Sequence, residues 1–491
     1  MGTDQLDILI CIVPKIRPDA PTIGPSILKS HLQEAGFSCE VLDLNVKLYN
    51  ALKEHGTHQK YFFENDLIFS LHPGFKRIRD FVELSDEFNA FCDQHNDILM
   101  GWVELFKRKN PKWIGLSILT FYAQAMAIKL SRLIREHLPN TKIVWGGANI
   151  EKGIETFREQ GLMDHYIYGD AEYSIVELLK GNLTAKGIDS LKTNQINLNN
   201  VLIPNYDDID WDEYADEGVV YVTGSRGCVK KCTFCDVYET WPEYRFRSGE
   251  SIANEMKVLK ERYGRTNFRF TDSLVNGSMK AFRSMMIELK ELRKTYPELR
   301  WTSQWIVRPK NQSPEEDFQL IKESGCDTLD MGIESFSQSV RWHLGKKFTD
   351  EDMWWSFDML RKYHIKQALL MIVGYPTESE EDHQITLDTL RRLFKEGYAT
   401  DKNGNHEKLM YFNFAYTLLL WEGPLLDQIM HDLAYYEDML NWDYKGNDST
   451  TRIKRYKEIY DLLKSVDDEE RYEWMHKRYL SMVKYLSLIH I

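Results

Sequence analysis

The chain has 491 residues, enough for two or three domains, each with its own core. Its 62 basic and 75 acidic side chains leave a net charge of −13, a field that favours neither nucleic acid nor an anionic membrane. No apolar run approaches the roughly 18–20 residues needed to span a bilayer, and seven cysteines in so long a chain do not make a disulfide framework.

The first residues lack a basic segment followed by a long apolar run, so no secretory signal is read and a cytoplasmic, reducing location is expected. Residues 8–13 read as a buried strand, and Pro14, Pro18, Pro21 and Pro25 then impose a loop. A helix is predicted over 26–35 with Gly36 as its stop, and a second strand over 39–44. Residues 48–108 are mixed and mainly helical in pattern, an insertion. Strands at 113–119, 142–145 and 165–168 follow, with helices at 123–138 and 172–179. This alternation predicts a doubly wound, Rossmann-like, mostly parallel sheet over 1–195, and 196–217 reads as a linker.

Ligands of such sheets bind at the carboxyl ends of the strands. No G-x-G-x-x-G follows the first strand, which disfavours a dinucleotide. Ser117-Ile118-Leu119 ends one strand and Gly146-Gly147 the next, and a small hydroxyl beside two residues without side chains would admit a large flat ligand to the backbone. Gly-Gly after a strand is more often just a turn.

Val219–Val222 is a short β-branched run that reads as the strand opening a second domain. Behind it come Gly224-Ser225-Arg226-Gly227-Cys228-Val229-Lys230-Lys231-Cys232-Thr233-Phe234-Cys235. The glycines bend the backbone, so three thiols at C-x3-C-x2-C spacing share one loop at the strand's carboxyl end. Soft sulfur ligands in that arrangement suit iron–sulfur chemistry. A closed site takes four ligands, but the next cysteine is Cys326, two predicted strand–helix units away. Three ligands leave one metal position open, as in catalytic sites. The bland alternative is a zinc knuckle with a remote fourth ligand, although zinc pairs normally come as C-x2-4-C twice.

The cysteine spacing, Phe234 before the last cysteine and the Ser-Arg-Gly-Cys lead-in resemble the radical S-adenosylmethionine (SAM) superfamily. That resemblance implies a 4Fe-4S cluster on Cys228, Cys232 and Cys235, with the SAM amino and carboxylate groups chelating the fourth iron. One electron would then cleave the sulfonium C–S bond, and the 5′-deoxyadenosyl radical would abstract hydrogen from substrate. Ser117, Leu119, Gly146 and Gly147 in turn resemble the S-x-L and G-G elements of the cobalamin-binding domain that precedes many radical SAM cores, and Asp170-Ala171-Glu172 resembles an acidic turn near that domain's end. One departure stands out: the D-x-H-x-x-G motif that supplies a cobalt-ligating histidine is absent, and no histidine occurs before His31.

Strand patterns at 219–222, 267–271, 301–307, 328–332, 368–373 and 409–415 alternate with helices at 252–263, 280–295, 314–324, 350–363 and 379–396. They predict a partial (β/α)6 barrel over 218–420, with ligands at the strand ends. Asp272 ends the second strand as a candidate acceptor or a helix N-cap. Glu334 and Ser335, in Gly-Ile-Glu-Ser, and Gly374, in Gly-Tyr-Pro-Thr-Glu, resemble the family's SAM-contacting turns. With Phe234 and Asp272 they make up the expected SAM site. Arg308 reads as a carboxylate partner or a solvated arginine; Arg245 and Arg247 with Trp241 and Tyr244 read as a packed loop. Residues 421–485 are predicted helical, a cap over the barrel mouth, and 486–491 look like an artefactual tail.

The resemblance therefore implies an enzyme acting on a small molecule or a peptide, fed by an electron donor such as flavodoxin or ferredoxin. Its reaction would be cobalamin-dependent methyl transfer, or a rearrangement, cyclisation or thiolation without cobalamin. A non-enzymatic iron–sulfur carrier or zinc-stabilised binding protein is the third reading. No side chain in the sequence singles itself out as the catalytic residue.

Overall fold

The computed structural model describes residues 5–64, 86–148, 150, 154–192, 194–216, 218–400, 403–404, 406–421, 423–467 and 470–489. These fall into two compact units, with the division after Val222.

The first unit is built on a parallel sheet of β1 (Ile8–Ile12), β2 (Cys39–Asp43), β3 (Trp113–Ser117), β4 (Lys142–Gly146) and β5 (His165–Tyr166), in the order β2-β1-β3-β4-β5. The strands are short and rich in Ile, Val, Leu and Trp, as strands covered on both faces must be. Helices α1 (Ile23–Glu34), α2 (Leu44–Glu54), α3 (Asn96–Lys109), α4 (Phe121–His137) and α5 (Ala171–Leu179) accompany them. Two apolar clusters, one around Leu9, Leu116 and Trp145 and one around Ile8, Ile10 and Val144, supply the core. Asp43 caps α2 by accepting from the Val46 amide at 2.9 Å, so that helix starts directly at the end of β2, and Thr120 caps α4 by accepting from Ala123 at 3.3 Å, three residues past the end of β3. The insertion is helical on either side of residues 65–85, which lie outside the described residues.

The stretch expected to be a linker is instead a strap on this unit. Leu198 and Val201 bury against Ile23 and Ile27. The Lys29 ammonium pairs with Asp208 at 2.6 Å, and the Tyr214 hydroxyl donates to Asp43 at 2.7 Å. Buried anchors of this kind give a segment without secondary structure a fixed course.

The second sheet holds six strands that neighbour one another in chain order: β6 (Val219–Val222), β7 (Asn267–Phe270), β8 (Arg300–Trp305), β9 (Cys326–Glu334), β10 (Lys366–Val373) and β11 (Met410–Thr417). The pairs from β7 to β11 are parallel. Between them run α6 (Gly249–Tyr263), α7 (Met279–Thr295), α8 (Glu315–Glu323), α9 (Gln338–His343), α10 (Asp350–Lys362) and α11 (Glu380–Lys395). Thr349 and Ser379 open α10 and α11 with reciprocal capping boxes to Asp352 and Asp382.

The C-terminal segment is not all helix. Leu433–Tyr436 pairs antiparallel with Trp442–Tyr444, and the turn between them is closed by Asp438, which accepts from the Leu440 and Asn441 amides at 2.8 and 2.9 Å. The helices α12 (Ser449–Val466) and α13 (Glu470–Ile489) follow, and α13 takes in residues 486–489 of the stretch expected to be a tail, whose last two residues lie outside the described ones. No helix among the described residues is long and apolar enough to cross a membrane.

Candidate functional site

The cysteine loop leaves the carboxyl end of β6. All three thiols are half-buried. Each lies within electrostatic reach of the others: Cys228 and Cys235 act on Cys232, and Cys228 acts on Cys235. Burial pushes the Cys232 thiol up to about 11 and raises that of Cys235. Thiols in this state ionise when a cation binds them.

Among the described residues no three His, Cys, Asp or Glu side chains converge on a point that would hold a single ion. Thiolates around one zinc sit about 3.8 Å apart, the edge of a tetrahedron with 2.3 Å bonds; a four-iron cluster is larger and spreads its ligands wider. Three soft thiol donors in mutual range on one loop suit such a cluster by their chemistry.

The remaining thiols cannot complete the set. Cys326 starts β9, whereas the loop packs where that strand ends; at about 3.3 Å per residue, eight residues of strand separate those ends by about 26 Å. Cys11, Cys39 and Cys92 are buried in the first unit's core.

Two neighbouring strand ends hold the loop. The Thr233 amide donates to the Leu344 carbonyl at 3.1 Å. The Thr233 hydroxyl lies 2.9 Å from the Tyr375 hydroxyl, which also donates to the His343 carbonyl at 3.3 Å. Phe234 packs on the cluster of Val340, Leu344, Tyr375 and Trp442 and anchors the loop.

Asp272 is 2% exposed and points back to the lead-in of the loop. Its carboxylate accepts from the Gly224 amide at 2.8 Å and the Ser225 hydroxyl at 2.5 Å. It is not a helix cap either, since Ser278 caps α7. Burial drives its carboxyl up to about 6, with the Ser225 hydroxyl and Gly224 amide opposing. Its geometry is that of a residue fixing where the cysteine loop begins.

Glu334 ends β9 at a register shift with φ of +65°, a backbone a glutamate adopts only when its surroundings impose it. Its carboxylate pairs with Lys346 at 2.8 Å. Ser335 is buried and accepts from the Ser337 amide at 3.1 Å. The buried Arg341 guanidinium clamps this turn, donating to the Ser335 and Phe336 carbonyls and pairing with Asp350. Gly374, at φ +78°, ends the next strand. The place a Cβ would take is filled by the stem of Arg452, so the expected open approach for adenine is closed at that position. Arg308 grips the carbonyls of Asn276 and Gly277 at 2.5 and 2.6 Å, and is not a freely solvated arginine.

In the first unit, β2 and β3 flank β1, so the sheet's switch point lies at the carboxyl ends of β1 and β3. Ser117 is half-buried there and Leu119 is 42% exposed. Gly147, at φ +118°, lies against the Ile118 backbone: a Cβ would sit 2.3 Å from the Ile118 carbonyl oxygen. The pair expected to bare its backbone therefore does so only at Gly146, whose nearest contact would be 3.9 Å away. Lys15, unremarked in the sequence, follows β1 with its ammonium over the rings of Tyr61 and Tyr122 at 4.9 and 5.3 Å. Only a basic residue directly behind the first strand could have hinted at it. Lys346 and Arg341 were equally illegible, although a buried glutamate demands a cation close by.

Residues 222–390 match the Radical SAM superfamily. An uncharacterised methyltransferase of Pyrococcus horikoshii is 26% identical over 59% of this chain and 66% of its own length. A ribosomal protein uS12 methylthiotransferase of Clostridium perfringens is 27% identical over 46% of this chain and 54% of its own. The chain thus spans just under two-thirds and about half of these relatives. Among solved structures, the radical SAM methyltransferase TsrM of Kitasatospora setae, with cobalamin and a 4Fe-4S cluster bound, aligns with a TM-score of 0.59 and 16% identity over 87% of this chain and 75% of that one. The cobalamin-dependent radical SAM enzyme OxsB, with aqua-cobalamin bound, aligns with a TM-score of 0.65 and 14% identity over 99% and 73%. At these identities the two structures speak for the fold.

Proposed function

We propose that this chain, a radical SAM enzyme by its residues 222–390, holds a 4Fe-4S cluster on Cys228, Cys232 and Cys235, cleaves SAM reductively and transfers a methyl group with the help of cobalamin. The observation that carries the reading is the set of three half-buried thiols on one loop at the sheet's carboxyl end, with the other thiol of that unit at the opposite end. When bound, the cluster supplies one electron to the sulfonium and cobalamin supplies a transferable methyl group.

The chain's own residues position and exclude. Asp272 fixes the start of the cysteine loop through Gly224 and Ser225. Thr233, Tyr375 and Phe234 hold its far side. Glu334, bent out of the strand and paired to Lys346, is the carboxylate that would accept from an ammonium or hydroxyl group of SAM. Ser117, Leu119 and Gly146, at the first sheet's switch point, are the residues on which a corrin would rest. The substrate is a small molecule or a peptide, and the electron comes from a flavodoxin- or ferredoxin-type donor.

The test is anaerobic reconstitution with iron and sulfide, then dithionite and SAM, with 5′-deoxyadenosine as the product followed. The wild-type chain turns brown and forms the nucleoside; the Cys228→Ala/Cys232→Ala/Cys235→Ala variant loses both. A triple variant that keeps its iron removes the assignment. The closure of Gly147 against Ile118 favours a second reading, radical chemistry without cobalamin. Retention of corrin absorbance by the full chain separates the two.

A further inference from the structure

Lys346 is 8% exposed, and burying an ammonium requires anionic or carbonyl partners. It has two: the Gly332 carbonyl at 2.7 Å and the Glu334 carboxylate at 2.8 Å. Both belong to the end of β9, twelve to fourteen residues earlier in the chain. An ammonium has three N–H donors, and these bonds use two. On its other side the lysine adjoins the cysteine loop. A Cβ on its neighbour Gly345 would lie 3.3 Å from the Lys231 carbonyl oxygen and 3.5 Å from the Cys232 Cα. The Leu344 carbonyl takes the Thr233 amide. The ammonium also lies within electrostatic reach of the Cys232 thiol.

We infer that Lys346 is a positioning residue that fixes the Glu334 carboxylate at the end of β9 and holds a positive charge beside Cys232, so that it sets how readily a cluster on this loop accepts its electron. This rests on the cysteine assignment proposed above. The physical argument is Coulombic. Reduction adds negative charge to the cluster, and a buried cation beside the loop stabilises the reduced form far more than the same cation would in water. Glu334 offsets part of that field while keeping the lysine in place. The pair is therefore a graded device whose two members act on the cluster in opposite directions. The same lysine explains why Glu334 tolerates its left-handed backbone: the ion pair holds the carboxylate on the side that this conformation presents.

The test compares wild type, Glu334→Gln, Glu334→Gln/Lys346→Met and Lys346→Arg, reconstituted as full-length protein. Iron per chain is counted, and the cluster's midpoint potential is measured by redox titration followed by electron paramagnetic resonance. Glu334→Gln leaves the lysine charge uncompensated, so its potential moves positive of wild type. Adding Lys346→Met in that background removes the charge without stranding a buried carboxylate, so the potential falls back. Lys346→Arg keeps the charge and stays near wild type. Equal potentials in Glu334→Gln and the double variant, with iron fully loaded, overturn the inference. So does a Glu334→Gln potential unchanged from wild type, which is decisive if the double variant does not fold. A merely structural lysine would lower iron content without this ordered shift. Wild-type protein that takes up no iron would instead remove the cysteine assignment, a separately visible result.

Discussion

A carboxyl group out of reach of water resists ionisation, and Asp272 shows what that does to stability. Its folded value of about 6 stands above the ordinary carboxyl value of 3.8 because burial outweighs the bonds from Ser225 and Gly224. Between those values the folded chain keeps a proton that the unfolded chain has released. The contribution is therefore fully present below about pH 4 and lost as the pH rises through 6, a fall on the order of 3 kcal/mol by linkage. Asp272→Asn cannot titrate, so the difference in urea midpoint between wild type and variant should change steeply from pH 4 to 6 and flatten above. Asp43 and Glu378, also raised by burial, are common to both proteins and cancel in the difference. Parallel curves would show that Asp272 ionises as freely as an exposed residue. In the sequence Asp272 stood out only as an acidic group at a strand end. Whether it faces a ligand or the chain's own backbone depends on Gly224, 48 residues away, and no local pattern encodes that.

At the scale of elements, strands and helices were legible wherever their faces repeat, as in α11 or β10, because periodic burial is written into sequence. The Leu433–Tyr436 and Trp442–Tyr444 ribbon was not. Three or four aromatic-rich residues fit either period, and the choice is made by Arg452, on the following helix. Its guanidinium lies 3.5 Å over the Trp442 ring and donates to the carbonyls of Leu440 (2.7 Å), Trp442 (3.1 Å) and Asn447. Arg452→Met keeps an apolar stem against Gly374 but leaves those three carbonyls without their donor. Each buried orphan costs about 1–3 kcal/mol, so a loss of about 3 kcal/mol or more is expected. Amide hydrogen exchange across residues 433–444 should quicken well before the central strands of the second sheet are affected. Uniform quickening would mean that Arg452 supports the whole unit and not the ribbon.

For the whole molecule, the division into two α/β units and the placing of the cysteine loop at strand ends were readable, because alternation and motif spacing are local. The strap of residues 196–216 was not, since Lys29–Asp208 and Tyr214–Asp43 join positions more than 160 residues apart. On the proposed reading each unit holds a strand-end site, so the chain should carry two separable cofactor loads. Leu119, 42% exposed beside the switch point of the first sheet, offers the change that distinguishes them. An apolar macrocycle resting there would desolvate a carboxylate at this position, and even a few kcal/mol of that penalty outweighs the 1.4 kcal/mol of a tenfold loss in affinity. Full-length wild type and Leu119→Glu, reconstituted together with iron, sulfide and hydroxocobalamin and then gel-filtered, should retain equal iron. The variant should keep less than about a tenth of the corrin absorbance. Equal corrin in both proteins would move the corrin away from this crevice, and wild type that keeps iron but no corrin would leave radical chemistry without cobalamin as the reading.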